Sequence, residues 1–240
     1  MQEFKLKIFK LIKIIQSKNY YIYKAFLRYF VSPSYEHLEV FKKKKISTFI
    51  DIGANKGQFS LLANQLYPKA IIYAIEPLEY EYGILKRIFQ NKHNINLFNL
   101  AVGNKNTRLN IFITKKRDSS SLLLPTNLQL DFFSKNYLYQ KKKVLVRKLN
   151  IILKKKKLKK KVFLKIDTQG YELEILKSFN LEKFVDYIYL EASSLELYKK
   201  QPTFKKIKAY LKKKKFKHIK SYNVIVHGDK LLQGDFLFLK

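Results

Sequence analysis

Apolar positions along the chain form two alternating patterns, short continuous runs and longer stretches with a helical period. The runs at residues 46–53, 70–77 and 95–103 are rich in β-branched and aromatic side chains, and each ends at Gly or Pro. Between them, residues 57–67 and 78–90 repeat apolar side chains every three or four positions. Strands that alternate with helices in this way are typical of parallel β-α-β units, which bind ligands at the carboxyl ends of their strands.

The alternation is interrupted at residues 104–161. Residues 107–114 and 142–150 alternate in the manner of exposed strands, and a polar loop at 117–125 lies between them. We expect a β-rich insertion over the edge of the sheet, placed where it could act as a lid.

After the insertion the alternation resumes, and the end of the chain predicts two strands that turn near Gly228. Strands are predicted at 161–168 and 185–193, and helices at 171–179 and 203–214. The fold class is therefore α/β, a Rossmann-like doubly wound sheet of six or seven strands. The sheet is mostly parallel, with an antiparallel closing strand and the β-rich insertion.

The first 47 residues are predicted to be a basic, amphipathic helical extension that precedes the main domain at residues 48–240. The apolar residues on one face of its first helix are Phe4, Ile8, Leu11, Ile12 and Ile15. Such a face usually packs on its own domain, which is the favoured interpretation. The alternative is that it lies on an anionic membrane surface. No run reaches the roughly 18 uncharged apolar residues of a membrane span.

Composition adds a large positive charge. The 240 residues contain 45 Lys and 5 Arg against 18 Asp and Glu, a formal net charge of +32. A nucleic acid or an anionic membrane is one explanation. The other is compositional drift, because residue types with A/T-rich codons are abundant and the Lys clusters are scattered along the chain. We favour drift, since scattered charge runs are usually solvated and base readout relies on Arg. Disulfides and thiolate zinc sites are excluded because the chain has no Cys.

The segment FIDIGANKGQFS (residues 49–60) combines a carboxylate with a glycine-containing turn at the end of the first strand. Gly53, Asn55 and Gly57 follow Asp51 at every second position, so a ligand can approach the backbone at the start of a helix. The spacing differs from G-x-G-x-x-G, and Asp51 would repel a pyrophosphate. S-adenosylmethionine (SAM) has instead an ammonium group and a sulfonium, which a carboxylate attracts. The turn therefore favours SAM over NAD.

Three further acids end predicted strands, namely Glu76, Asp167 and Glu191. An acid about 20 residues beyond a glycine turn typically binds ribose hydroxyls, which fits Glu76. Because the carboxyl ends of parallel strands face one crevice, we expect Asp51 and these three acids to converge there. Two alternatives remain open. Asp167 could instead cap the helix that begins near Gly170, and Glu191 could have a structural role.

Several segments together resemble one family, the FkbM-type SAM-dependent methyltransferases. In chain order they are FIDIGANKGQFS, AIEP, NLAVGN, SSSLL, FLKIDTQGYELEILKSF, LEASSLELYKKQPTF and GDFLF. The resemblance extends from about residue 48 to 239, and KIDTQGYELEIL is its most specific part. It implies a class I SAM methyltransferase fold and O-methylation of a hydroxyl on a saccharide, a glycolipid or a small natural product.

The resemblance also implies roles for individual residues. The residues implied to hold the methionine end of SAM are Asp51, Gly53, Ala54, Asn55 and Gly57. Glu76 would hold the ribose, Ala101 and Val102 would lie against the adenine, and Asp167 would lie near the methyl group. No metal ligands are proposed, and Gln169 stands where many family members have an acid.

For the proton of the acceptor hydroxyl, Asp167 is the first candidate base and Glu191 the second. Residues 118–121 either bind sugar hydroxyls or form only a polar turn. The histidines, expected on the surface or in loops, are His37, His93, His218 and His227.

The sequence is compatible with three functions. The favoured one is O-methylation of a small-molecule or glycan acceptor by a cytoplasmic enzyme, peripheral to the membrane if residues 1–47 bind it. The second is RNA methylation on the basic surface, against which the segment DTQG replaces the N/D-P-P-Y turn common in amino-methylating enzymes. The third, a protein that has lost its chemistry, conflicts with the intact turn and Glu76. The sequence leaves the acceptor and the oligomeric state open.

Overall fold

The computed structural model describes residues 2–133 and 140–240, so residues 134–139 of the predicted insertion and Met1 lie outside the described residues. The helices are α1 (Gln2–Gln16), α2 (Tyr20–Tyr29), α3 (Gln58–Leu66), α4 (Glu79–Ile88), α5 (Asn127–Phe133), α6 (Leu149–Ile152), α7 (Glu172–Leu176), α8 (Leu181–Phe184) and α9 (Phe204–Lys213). The strands are β1 (Thr48–Ile52), β2 (Ile71–Ile75), β3 (Ile95–Phe98), β4 (Ala101–Val102), β5 (Thr107–Ile113), β6 (Gln140–Arg147), β7 (Val162–Ile166), β8 (Tyr187–Ala192), β9 (Lys217–His227) and β10 (Lys230–Leu239). A 3₁₀ helix, Tyr35–Phe41, lies between α2 and β1.

Seven strands form one sheet in the order β3-β2-β1-β7-β8-β10-β9. The pairs from β3 to β8 are parallel, and β10 runs antiparallel to both of its neighbours. The hairpin of β9 and β10 turns at Gly228, which has a left-handed φ of 57°. These pairings confirm the predicted Rossmann-like, mostly parallel sheet with an antiparallel closing strand.

The predicted third strand at residues 95–103 is wrong as one continuous element. β3 pairs with β2 in the main sheet, whereas β4 pairs with β6 in a separate three-stranded sheet of order β4-β6-β5. The break falls at Asn99, whose side-chain amide donates to the carbonyl oxygens of Glu76 (2.9 Å) and Pro77 (3.2 Å). Asn99 therefore holds the chain beside the end of β2 while the following residues join the insertion.

Every residue of β1, an interior strand of the sheet, is buried because helices cover both faces of the sheet. Ile50 and Ile52 pack in the cluster that includes α7 and α9, and Phe49 packs on the opposite side with α3. Side chains alternate along a strand, so Asp51 shares the side of Phe49 and faces α3. This position decides which groups the Asp51 carboxylate can reach.

The N-terminal extension packs on the α3 side of the sheet. Ile14, Ile22 and Tyr35 belong to the same apolar cluster as Phe49. The predicted apolar face of α1 does not take part, however. Its members are exposed by 43–67%: Phe4, Ile8, Leu11, Ile12 and Ile15. The favoured interpretation of this face is therefore wrong, because α1 contacts the body through its other side, including the Phe9 ring at 6.4 Å from the Tyr35 ring.

Candidate functional site

A cavity with about 700 Å³ of empty space, including its open mouth, lies at the carboxyl ends of β1, β2 and β7. We call it the main cavity. Six of the predicted site residues line it: Gly53, Asn55, Glu76, Ala101, Val102 and Asp167. The other four predicted site residues, which do not line it, are Asp51, Ala54, Gly57 and Glu191. The structure thus brings most of the predicted set together at the predicted end of the sheet.

The turn after β1 is fixed by its neighbours. The backbone N–H groups of Gly53 and Ala54 donate to the Ile75 carbonyl oxygen at 3.0 and 3.1 Å. Gly53 has a φ of 75°, and a Cβ atom there would lie 1.8 Å from the carbonyl oxygen of Asp167. Only glycine therefore fits between the ends of β1 and β7.

Glu76 places a buried carboxylate in the wall of the main cavity. Its Oε2 atom accepts the backbone N–H of Asn55 and its Oε1 atom accepts that of Leu78, both at 2.8 Å. Burial raises the pKa of Glu76 to about 7, although these two N–H groups lower it. Each oxygen has room for one more donor, so the carboxylate can accept hydroxyl groups from a ligand.

Asp51 is fully buried and turned away from the main cavity. It accepts a hydrogen bond from the Ser60 hydroxyl at 2.7 Å, and its Oδ1 atom lies 3.3 Å from the Lys165 ammonium. Lys165 also donates to the Gly53 carbonyl at 2.9 Å and lies 3.6 Å from an Asp167 oxygen. Burial lowers the pKa of Lys165, but the charges of Asp51 and Asp167 outweigh this and raise it. Asp167, 40% exposed, is thus the acid of this cluster that faces the cavity.

Asp167 and Glu191 are joined through Gln169. The Gln169 amide nitrogen donates to Asp167 at 2.9 Å and to Glu191 at 2.8 Å. Burial, followed by the charges of Asp167 and Asp235, raises the pKa of Glu191 well above its ordinary value. Glu191 does not line the main cavity, and it is connected to that cavity by the hydrogen bond that it accepts from Gln169.

The alternative that Asp167 caps the next helix is wrong. The residue that accepts hydrogen bonds ahead of α7 is Glu172, from the backbone N–H groups of Thr168 (3.2 Å) and Gly170 (3.0 Å). Asp167 is therefore free of that structural task.

The insertion covers one side of the main cavity. Arg117 forms a bidentate ion pair with Glu81 of α4. Its Nε and Nη2 atoms donate to the two carboxylate oxygens at 2.5 and 2.8 Å. The loop at residues 118–121 lines the cavity, and the Ser121 hydroxyl donates to the Gln169 carbonyl at 2.7 Å. The position agrees with the predicted lid over the sheet edge.

A second space, the polar chamber, adjoins the main cavity and contains about 1000 Å³ of empty space, including open solvent. Both spaces share Gly53, Asn55, Asp118 and Asp167. The outer wall of the polar chamber comes from the N-terminal extension, with Lys10, Phe30, Ser34, Glu36 and His37. No sequence motif marked these residues, since they precede the resembling segments, and the surface or loop position expected for His37 is wrong.

The comparisons with known proteins agree with this geometry. The family model described as the methyltransferase FkbM domain matches residues 51–218. The chain belongs to the FkbM methyltransferase family. No curated protein matches the sequence. The N-terminal extension lies outside the family match.

Several solved methyltransferase structures are similar to this FkbM methyltransferase at low sequence identity. TrmK of M. capricolum, in complex with S-adenosyl-homocysteine, has a TM-score of 0.50 and 11% identity, covering 86% of this chain and 68% of that one. Precorrin-6y C5,15-methyltransferase of Geobacter metallireducens GS-15 has a TM-score of 0.47 and 14% identity, covering 85% of this chain and 84% of that one. Magnesium protoporphyrin IX methyltransferase of Synechocystis PCC 6803, with bound SAM, has a TM-score of 0.45 and 10% identity, covering 85% of this chain and 74% of that one. The fold is that of the class I SAM methyltransferases.

SAM is the methyl donor of an FkbM methyltransferase, and the residues of the main cavity fit it. The Glu76 carboxylate can accept ribose hydroxyls. Val102, Leu78 and Leu100 give the same cavity apolar surface suited to a purine ring. Across residues 2–133 and 140–240, no group of three or more His, Asp and Glu side chains is arranged to hold a metal ion.

Proposed function

We propose that this SAM-dependent methyltransferase methylates a hydroxyl group of a saccharide, a glycolipid or a small natural product. The observation that carries the proposal is the shared wall of the two spaces. Asp167 lines both the main cavity, which fits the methyl donor, and a polar chamber lined by hydroxyl, amide and charged side chains. An acceptor rich in hydroxyl groups matches that chamber better than an apolar one would.

The proposed roles follow from position. SAM, when bound, supplies a methyl group activated by a sulfonium. Glu76 binds the ribose, and Ala101 and Val102 contact the adenine. Gly53, Ala54 and Asn55 present the turn to the methionine end, while Asp51 and Gly57 act indirectly, by holding that turn. Asp167 orients the acceptor hydroxyl, and much of the acceleration comes from this alignment.

Calorimetry tests the donor half of the proposal. We expect Glu76→Ala to weaken SAM binding at least tenfold, because the ribose hydroxyls lose their acceptor. Glu79→Ala is the matched control, since Glu79 is 76% exposed and pairs with Lys142 outside the main cavity. A wild-type protein that does not bind SAM would contradict the whole proposal.

A transfer assay tests the acceptor half. Labelled SAM is incubated with methyl glycosides of glucose, galactose, mannose, rhamnose and N-acetylglucosamine, and in parallel with transcribed tRNA. Label in an alkali-stable methyl ether of a glycoside supports the proposal. Label confined to tRNA would favour the RNA methyltransferase instead.

We further propose that the exposed face of α1 binds an anionic membrane surface. No helix in the described ranges is long and apolar enough to span a membrane. Nevertheless Phe4, Ile8 and Ile15 are exposed by 67, 43 and 63% on a helix that also carries Lys5 and Lys7. An apolar stripe beside basic side chains is complementary to anionic lipid headgroups and acyl chains.

Vesicle sedimentation tests this contact. We expect binding to vesicles of phosphatidylcholine with 30% phosphatidylglycerol, and loss of binding in the triple variant Ile8→Ser, Leu11→Ser, Ile15→Ser. The matched control changes three apolar residues exposed elsewhere, Leu66, Ile151 and Val226, to Ser. Equal sedimentation of both triple variants would refute the assignment.

A further inference from the structure

His37 occupies a position in the polar chamber that suits proton transfer. It belongs to the 3₁₀ helix of the N-terminal extension, lines the chamber and is 18% exposed. Its Nδ1 atom lies 2.8 Å from the Tyr189 hydroxyl, 3.4 Å from the Asn223 amide nitrogen and 3.8 Å from an Asp235 oxygen. Its Nε2 atom makes no hydrogen bond to any of the residues described.

Two groups beside Nδ1, the Tyr189 hydroxyl and the Asp235 carboxylate, can accommodate a proton-bearing nitrogen. Asp235 accepts a hydrogen bond from the Asn223 amide at 2.7 Å, and its carboxylate lies on the Nδ1 side of the His37 ring at 3.8 Å. Burial and the charge of Asp235 raise the pKa of Tyr189, so the phenol keeps its proton. The Tyr189 hydroxyl, 2.8 Å from Nδ1, can accept a hydrogen bond from Nδ1–H, and in that tautomer the lone pair lies on Nε2.

We propose that the polar chamber binds the saccharide acceptor and that Nε2 of His37 takes the proton of its reacting hydroxyl. This inference rests on the proposed function and adds the residue that accepts the proton. Tyr189 and Asp235 stabilise the imidazolium that forms, as a carboxylate does behind a catalytic histidine.

In the proposed reaction the methyl group passes from the sulfur of SAM to the acceptor oxygen. The acceptor oxygen forms a bond to the methyl carbon while the carbon–sulfur bond breaks, and the electron pair of that bond goes to sulfur. The hydroxyl proton goes to Nε2 of His37 and then to solvent. Asp167, already held by Gln169 and Lys165, orients the hydroxyl, so orientation and proton transfer fall to different residues.

Phe30 gives the chamber a surface for a sugar ring. It ends α2 in a left-handed conformation (φ 53°), lines the chamber and is 89% exposed. An aromatic ring at the mouth of a polar chamber offers contact to the C–H face of a pyranose, and it can be removed without leaving a buried void.

The first experiment reads the tautomer of His37 by long-range ¹H–¹⁵N NMR, with His37→Gln giving the assignment and saturating S-adenosyl-homocysteine present. We expect the Nδ1–H tautomer in the wild type and its loss in Tyr189→Phe. An Nε2–H tautomer in the wild type would overturn the proposal, because Nε2 could then accept no proton.

The second experiment uses saturation-transfer NMR and transfer kinetics on the same methyl glycosides. At least one glycoside should bind, and Phe30→Ala should weaken it about fivefold. His37→Gln should keep SAM and glycoside binding and lower kcat by a factor of about 10²–10⁴. His93→Gln is the matched control. The groups against the His37 ring are Tyr189, Asp235, Asn223 and Phe59.

Failure of the proposed function and failure of the roles given to the polar chamber and His37 would give different results. Absence of SAM binding would remove the proposed function itself. Normal SAM binding with no glycoside signal, or with His37→Gln reacting like the wild type, would overturn only the assignment of the chamber and of His37.

Discussion

The main cavity and the polar chamber meet at one turn but are built differently. At the turn between them, Asp51 is fully buried and Lys165 is 7% exposed, and in the wall of the main cavity Glu76 is 5% exposed; all three lie within the family match. In the chamber wall, Lys10 and Glu36 form an ion pair with side chains 23% and 32% exposed, outside that match. The turn beside the donor cavity is thus held by buried charge, whereas the charged pair in the chamber wall is partly solvated.

Of the variants considered, Lys165→Met should cause the largest loss of unfolding free energy. Removing the ammonium leaves Asp51 buried without its counter-charge, which typically costs about 3–5 kcal/mol of unfolding free energy. Urea unfolding measures it, with Lys177→Met as the control at an exposed pair with Glu174. Equal and small losses would show that the buried cluster does not hold the donor side together.

The affinity for SAM should depend on pH through Glu76, and this effect should be of intermediate size. With a pKa of about 7, Glu76 is mostly charged at pH 8 and mostly neutral at pH 6, so the affinity for SAM should fall about tenfold between them. Glu76→Gln should bind weakly and flatten this dependence. A flat wild-type profile would mean that the charge of Glu76 does not matter for binding.

Stability should respond to pH in the opposite direction. The folded pKa of Glu76 lies above the ordinary value of 4.5, and the same holds for Glu172, also at about 7. The folded protein therefore binds more protons than the unfolded chain, and their contribution to stability is present below pH 4.5 and lost as pH rises through 7. Thermal unfolding without ligand checks the sign.

Lys10→Ala should give the smallest effect. The pair with Glu36 is partly solvated, so its loss should cost at most about 1 kcal/mol and leave SAM binding unchanged. Chemical unfolding and calorimetry measure both quantities. A loss as large as that of Lys165→Met would mean that this partly solvated pair stabilises the fold as strongly as the buried cluster does.

The sequence predicted the parts of the molecule that follow from periodicity and steric constraint. The strand-helix alternation, the turn at Gly53 and the acid Glu76 all depend on local patterns, and the structure places them as expected. The break at Asn99 escaped prediction because it depends on hydrogen bonds to Glu76 and Pro77, which are distant in sequence. Asp51 was expected to face a ligand, but its place inside a strand covered on both faces turns it toward Ser60.

The chamber could not be predicted for a related reason. His37 reaches Tyr189 across 152 positions and Asn223 across 186, and no spacing rule connects such partners. The amphipathic pattern of α1 likewise did not predict which face is exposed. The pattern identifies an apolar and a basic face, but it does not show which of them packs on the rest of the protein.

One ammonium group, that of Lys165, contacts the carbonyl of Gly53 and the carboxylates of Asp51 and Asp167. The turn that meets the donor and the acid shared by both spaces therefore have a common anchor. A ligand that draws the turn away from Lys165 would change the balance of contacts around Asp167, so we expect the binding of the two substrates to be coupled. Lys165 is where kinetic coupling between donor and acceptor, and a fixed order of their addition, would originate.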